Sequence, residues 1–143
     1  MICVDACLAV KWVLEEADTP RATALYRATL LADESIVAPP LLPIEATNIL
    51  RQRRRRQSPL PLEDGLRLLD QFLTFAVTLY NPAGLHRRAL EIAATYELSA
   101  TYDAHYVALA QTVGCDLWTA DQRLLRELGG RLSFVRGIGD YPV

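Results

Sequence analysis

The sequence predicts an α/β fold in which a mostly parallel sheet is covered by helices, and three observations carry that prediction. Strand-like and helix-like segments alternate along the chain, the pattern of successive crossover units. The strand candidates are unbroken apolar runs, not alternating ones, as burial on both faces requires. The 143 residues suffice for one substantial core and are too few for two ordinary domains, so residues 1–143 are expected to form one domain.

The elements follow in order. Residues 1–4 are a short apolar run and the first strand. Residues 6–15 are expected to be helical, with Leu8, Val10 and Trp12 to Leu14 apolar. Residues 20–32 repeat at helical spacing through Ala22, Leu25, Tyr26 and Leu30, and Pro20 suits a first turn. Ile36-Val37-Ala38 is a strand closed by Pro39-Pro40. One helix is expected over 41–56 and another over 61–75, separated by Ser58-Pro59. Val77 to Tyr80 is a strand, and 82–96 and 101–113 are helices, the second ended by Gly114. Cys115 to Thr119 is a strand, 121–128 a helix closed by Gly129-Gly130, and Ser133 to Val135 a last strand.

Composition excludes several classes. Half the residues are apolar (51%), so the chain is not a disordered tail. No apolar run approaches the roughly 20 residues of a membrane span. The opening residues lack the basic and long apolar segments of a signal peptide, and the expected location is the cytoplasm. The three cysteines, Cys3, Cys7 and Cys115, lack the paired spacing of a disulfide framework or a zinc motif. Cys3 and Cys115 read as small buried hydrophobes. Net charge is −2, so no whole-molecule field announces a nucleic-acid binder. The basic residues are nevertheless uneven: five of fifteen fall in Arg51-Gln52-Arg53-Arg54-Arg55-Arg56.

In parallel sheets ligands bind at the carboxyl ends of the strands, and the acidic residues are placed accordingly. Asp5 follows the first strand directly. Asp121 follows the strand 115–119, with only Ala120 between. Asp103 lies in the first turn of the helix 101–113, for which Ser99 and Thr101 are candidate N-caps. Glu45 lies near the start of the helix that begins at Leu41. Singly, each has an ordinary explanation: an Asp after a strand caps or turns, and an acid in a first turn complements the helix dipole. Their surroundings favour more. Asp103 and Glu45 are embedded among apolar and small residues, where a carboxylate is costly unless paired or bound to a metal. Carboxylates that converge raise one another's pKa, and a divalent cation relieves the repulsion. Ligands that are all oxygen suit Mg²⁺ or Mn²⁺.

Val4-Asp5-Ala6-Cys7, Pro43-Ile44-Glu45-Ala46-Thr47-Asn48, Tyr102-Asp103-Ala104-His105-Tyr106 and Trp118-Thr119-Ala120-Asp121 resemble the four acidic motifs of PIN domains, in order and in spacing, across essentially the whole chain. Their local contexts look most like those of VapC-type toxins from toxin–antitoxin pairs. The resemblance implies a three-layer α/β/α sandwich and an endoribonuclease using one or two Mg²⁺ or Mn²⁺ ions. It implies that Asp5, Glu45, Asp103 and Asp121 hold the metal and are the catalytic residues. The ion would acidify a bound water for in-line attack on a phosphodiester and screen the developing charge. A cognate antitoxin, an RNA substrate and a homodimer are implied as partners. One departure stands out: such proteins usually carry Ser or Thr two residues after the first Asp, where this chain has Cys7. A thiol is the weaker hydrogen-bond partner, so metal affinity or the orientation of Asp5 is expected to differ.

Glu45, Asn48, Gln52 and Arg55 or Arg56 recur at helical spacing and would share one stripe. That stripe is either a path for an RNA backbone, with arginines on phosphates, or a solvated helix end. Asn48 is expected to orient Glu45. His86 reads as surface, and His105, two residues from Asp103, would not face it. Trp12 and Trp118 read as core, and Asp116 as lying at the opposite end of its strand. Two other functions compete. A non-catalytic interaction module keeps the fold and is favoured by Cys7. A receiver-like phosphoacceptor also uses Asp at strand ends, but the chain lacks the paired acids after the first strand, and its sole lysine is Lys11.

Overall fold

The computed structural model describes every residue from 1 to 143. Its elements are β1 (Ile2–Val4), α1 (Ala6–Ala9) running on into a 3-10 turn (Val10–Trp12), α2 (Thr19–Leu31), β2 (Ile36–Ala38) and α3 (Leu41–Gln52). A small hairpin of β3 (Arg54–Arg55) and β4 (Ser58–Pro59) leads to α4 (Leu62–Phe72), β5 (Thr78–Leu79), α5 (Leu85–Thr95) and α6 (Thr101–Val113). β6 (Asp116–Thr119), α7 (Gln122–Leu128), β7 (Val135–Gly137) and a closing 3-10 turn (Ile138–Asp140) complete the chain. The five-stranded sheet has the order β5-β2-β1-β6-β7, and all its pairings are parallel. Helices cover both faces, which is the three-layer α/β/α sandwich expected.

The central strands show why their runs are unbroken. β2 is buried at all three residues, as are Cys3 and Val4 of β1 and Leu117 to Thr119 of β6. Cys3 points its thiol at the Tyr106 carbonyl of α6, 3.8 Å away. The 31 buried apolar side chains form one continuous cluster, into which α6 contributes Ala104 and Tyr106 to Ala110. β1 leads into α1, β2 into α3 and β6 into α7, so these helices begin at the carboxyl edge of the sheet. α6 enters β6 through Gly114 in the left-handed region (φ 72°), and its own N-terminus lies at that same edge.

Among the differences from the sequence reading, four have a local reason. The first helix tightens after Ala9, because the chain must turn to set Trp12 against Tyr26 and Phe75, with ring centroids 4.9 and 5.1 Å apart. The helix begun at Leu41 stops at Gln52, not at Arg56. Arg53 takes an extended backbone (ψ 135°), pairs with Glu16 and accepts the Leu60 N–H at 3.0 Å. Arg56 and Gln57, both with positive φ (50° and 66°), form the two-residue turn of the hairpin. Arg55 and Arg56 therefore leave the stripe that Glu45, Asn48 and Gln52 occupy. The last strand sits two residues late, because Val135 closes a turn onto the Leu132 carbonyl (3.1 Å) before pairing begins. Gly137 can lie there because a Cβ would meet Leu125 Cδ1 at 2.9 Å. Finally, α6 is capped by Ala100 without a side-chain bond, and Ser99 donates instead to Glu127 Oε1 at 2.6 Å.

α4 is unusual in what it leaves outside. Leu62 and Leu66 share one face, which Leu73 continues at the C-cap; they are 76%, 51% and 59% exposed. No helix is long and apolar enough to cross a membrane.

The core arrangement predicts a contrast between neighbouring helices. Leu109→Ala, at a fully buried site of α6, is expected to cost about 2–5 kcal/mol of unfolding free energy. Leu90→Ala on the outer face of α5 should change it by less than about 0.5 kcal/mol. Urea denaturation of both variants checks this, and equal losses would contradict the placement of α6.

Candidate functional site

The side chains of Asp5, Glu45, Asp103 and Asp121 come from four elements that meet at the carboxyl edge of the sheet. Asp5 ends β1 and caps α1, its Oδ1 accepting the Leu8 N–H at 2.8 Å. Its Oδ2 accepts the hydroxyl of Thr119, the fully buried last residue of β6. The same hydroxyl oxygen accepts the Asp121 N–H at 2.9 Å. One threonine thus links the two acids that follow adjacent parallel strands. Asp121 caps α7, with Oδ1 accepting from the backbone of Arg123 (2.9 Å) and Leu124 (3.2 Å). Glu45 Oε1 accepts the Tyr106 hydroxyl at 2.7 Å. Asp103 Oδ2 accepts from Arg123 Nη2 at 3.0 Å, and the same nitrogen stands 3.8 Å from Asp121 Oδ2.

Burial and mutual repulsion dominate the electrostatics. Asp5 is 5% exposed, and desolvation pushes its pKa from 3.8 up to about 7, against the opposing bonds from Thr119 and Leu8 and with repulsion from Asp121 and Asp103 adding to it. Asp103 rises to about 6, mainly by desolvation and then by repulsion from Asp121, with Arg123 only partly offsetting this. Glu45 is raised by desolvation, partly countered by the Tyr106 bond. Cys7 reports the convergence most directly: desolvation raises its thiol first, and Asp5, Asp121, Glu45 and Asp103 all raise it further.

The donor set suits a hard divalent cation. The ligand candidates are carboxylate oxygens, their charge is under-compensated, and Asp121 Oδ2, Glu45 Oε2 and Asp103 Oδ1 accept no hydrogen bond. The cage is not closed: no three His, Cys, Asp or Glu side chains stand at ligating separation. Arg123 instead spans Asp103 and Asp121, an organic cation where an inorganic one would balance the same charge.

The supporting residues divide differently from expectation. The hydroxyl that steadies Asp5 comes from Thr119, not from position 7, where Cys7 is exposed and makes no hydrogen bond. Glu45 is held by Tyr106, while Asn48 is exposed and its side chain is unbonded, because it points outward one turn further along α3. Gln52 is exposed at the end of α3, Arg55 pairs with Asp64 at 3.4 Å, and Arg56 sits in the hairpin turn. Sequence reasoning does not single out Thr119, Tyr106 or Arg123. The first two lie inside the acidic motifs, and Arg123 lies two residues beyond the fourth; adjacency to the motifs is the available signal.

These shifts set a pH dependence. Folded Asp5 and Asp103 keep their protons to higher pH than the unfolded chain does, so protonation favours the fold. Without added metal, stability is expected to be fullest below about pH 4 on this account and to fall as pH rises through about 7. The loss is about 1.4 kcal/mol for each tenfold difference in proton affinity between the folded and unfolded chain. Asp5→Asn should flatten the profile. Urea midpoints in chelator from pH 4.5 to 8 measure it, and an identical slope in the variant would remove Asp5 as its source.

Comparison with known proteins identifies the family. The sequence pattern of the PIN domain matches residues 2–130. VapC ribonuclease Mb0985 of Mycobacterium bovis and Ribonuclease VapC9 of Mycobacterium tuberculosis are each 40% identical over 124 residues, 87% of this chain and 88% of theirs. Ribonuclease VapC12 of Mycobacterium tuberculosis is 32% identical over 129 residues, 90% of this chain and 93% of its own. The crystal structure of PAE2754 from Pyrobaculum aerophilum superposes with a TM-score of 0.63, covering 96% of this chain and 90% of that one at 23% identity, a likeness of fold. With the family pattern spanning nine-tenths of its length and VapC-type proteins among its relatives, the chain belongs to the PIN-domain family.

Proposed function

We propose that the chain is an endoribonuclease that hydrolyses RNA phosphodiesters with one or two Mg²⁺ or Mn²⁺ ions, and that it is the toxin of a toxin–antitoxin pair acting in the cytoplasm. The observation that carries this reading is the convergence of Asp5, Glu45, Asp103 and Asp121 at one sheet edge, in a chain whose relatives are named ribonucleases. Those four residues would hold the cation. When bound, it supplies charge compensation at phosphorus and a more acidic water. The chain's own groups orient the ligands. Thr119 and the Leu8 N–H fix Asp5, the backbone of α7 fixes Asp121 through one oxygen, and Tyr106 fixes Glu45 through one oxygen. Arg123 holds Asp103 and stands at the margin where a phosphate would approach, with a guanidinium suited to it.

Gln52, Arg55 and Arg56 supply polar and basic groups beyond the metal ligands for an RNA backbone, from the end of α3 and from the hairpin. The exposed leucines of α4 form an apolar stripe of the kind a protein partner covers, which supports an antitoxin or a second copy as occupant. One observation favours a second reading, a catalytically silent module: Arg123 already spans Asp103 and Asp121 and offsets part of their charge.

Metal and RNA assays separate the two. Asp5→Asn, Asp103→Asn and Asp121→Asn are each expected to abolish cleavage of a labelled RNA pool while far-UV circular dichroism stays native. Mn²⁺ at about 100 times Kd should stabilise the wild type by roughly 2.7 kcal/mol, on the order of 10 °C in melting temperature, and each variant by less. A wild-type melt indifferent to Mn²⁺, with no cleavage, selects the silent module. For the basic hairpin, changing Arg55 and Arg56 together to Gln should weaken RNA binding. It should also lower the log–log salt slope by about 1.4 if both contact phosphates of a single strand. An unchanged slope would assign both arginines to solvent or to a protein partner.

A further inference from the structure

A hollow of about 290 Å³ opens beside the acidic site, between the Pro39-Pro40 corner, the start of α5 and the start of α6. We propose that it is a nucleobase subsite, which takes one unpaired base of the RNA flanking the cut and reads an N–H on that base's edge. The proposal rests on the ribonuclease reading above for its substrate class. Its size, just under the roughly 300 Å³ at which small-molecule pockets begin, suits one planar heterocycle. Its floor includes buried Leu85, and its walls include Ile44 and Tyr102, which are 68% and 61% exposed. Ile44 directly precedes Glu45, and Tyr102 directly precedes Asp103. Two walls of the hollow therefore come from residues adjacent in the chain to two of the four acids. An aromatic ring and an aliphatic side chain facing solvent beside a phosphodiester site are what a splayed base stacks on in single-stranded RNA.

The polar end of the hollow has a defined hydrogen-bond sense. His105 Nδ1 lies 2.6 Å from the Thr101 carbonyl, which can only accept, so that nitrogen carries the proton. In the neutral ring His105 Nε2 is then an acceptor, and His86 Nδ1, 2.9 Å away, must donate to it. His86 Nε2 is left with a lone pair and no protein partner, on an exposed residue that lines the hollow. A backbone carbonyl thus sets, through two neutral imidazoles, the free acceptor of a residue that lines the hollow. Amino and imino N–H groups of a base edge are its complement, and a phosphate, which presents only acceptors, is not.

Histidine ¹⁵N NMR on the whole wild-type protein tests this, using titrations with each of the four nucleoside 5′-monophosphates and with ribose 5-phosphate as a probe lacking a base. Saturable movement of the His86 Nε2 resonance with at least one nucleotide, and not with ribose 5-phosphate, is expected. His86→Phe keeps a ring in place but removes the acceptor. It should lower kcat/KM for the preferred RNA, and with it the discrimination between bases at one position next to the cut, by roughly three- to tenfold. No response to any nucleotide, or an equal response to ribose 5-phosphate, overturns the subsite. So does conversion of a dimer to a monomer in sedimentation by Tyr102→Ala when no nucleotide moves His86, which would make this face a contact between copies. A His86 response in a protein that cuts no RNA would keep the base site and remove the nuclease.

Discussion

Carboxylates drawn partly out of water and gathered at one sheet edge are the constraint on which this structure is built. The fold brings four carboxylates within one another's field, and almost every local feature of the site is a partial answer. A threonine hydroxyl, a phenol, one guanidinium and three backbone N–H groups are aimed at these carboxylates. They do not restore ordinary acidity, since Asp5 and Asp103 remain well above the usual carboxylate range. A residual demand for positive charge is therefore built into the resting protein. Arg123 meets part of it, and its long, half-exposed side chain can be moved aside at little cost.

Much of the fold and the outline of the site are legible in the sequence. β1, β2 and β6 are buried on both faces, so their apolar runs and their closing Asp or Pro residues mark them without ambiguity. The acids at their ends can be read because crossover topology assigns chemistry to that edge. The edge strands β5 and β7 are less legible. Their pairing is decided by neighbours, and nothing in Ser133-Phe134-Val135 says that a turn comes before the ladder. The end of α3 is hidden as well, because arginines favour helix. The stop is imposed from outside by Glu16 on Arg53 and by the return of the chain at Leu60.

The partners of the acids cannot be read at all from spacing. A threonine on β6 orients an aspartate on β1 only because the strands are adjacent and in register, Val4 opposite Trp118. The sequence directs attention to position 7, next to Asp5 in the chain, whereas the hydroxyl comes from 114 residues away. The same holds for Tyr106 and Glu45, and for the histidine pair, whose members lie on different helices. The acids are marked by their own neighbours in the chain, but the side chains that orient them are marked only by the assembled fold.

The dispersal of the site along the chain has a consequence for how the protein comes into being. Asp121 and the hydroxyl of Thr119 lie in the last part of the sequence, and β6 must insert between β1 and β7 before they reach Asp5. Chains emerge from the ribosome at about 5–20 residues per second, and β1 and β6 are separated by more than a hundred residues. A nascent chain that ends before β6 therefore contains three of the acids but not the assembled centre. With RNA as its proposed substrate, such a polypeptide would stay harmless to the machinery translating it until its final strands are released and paired.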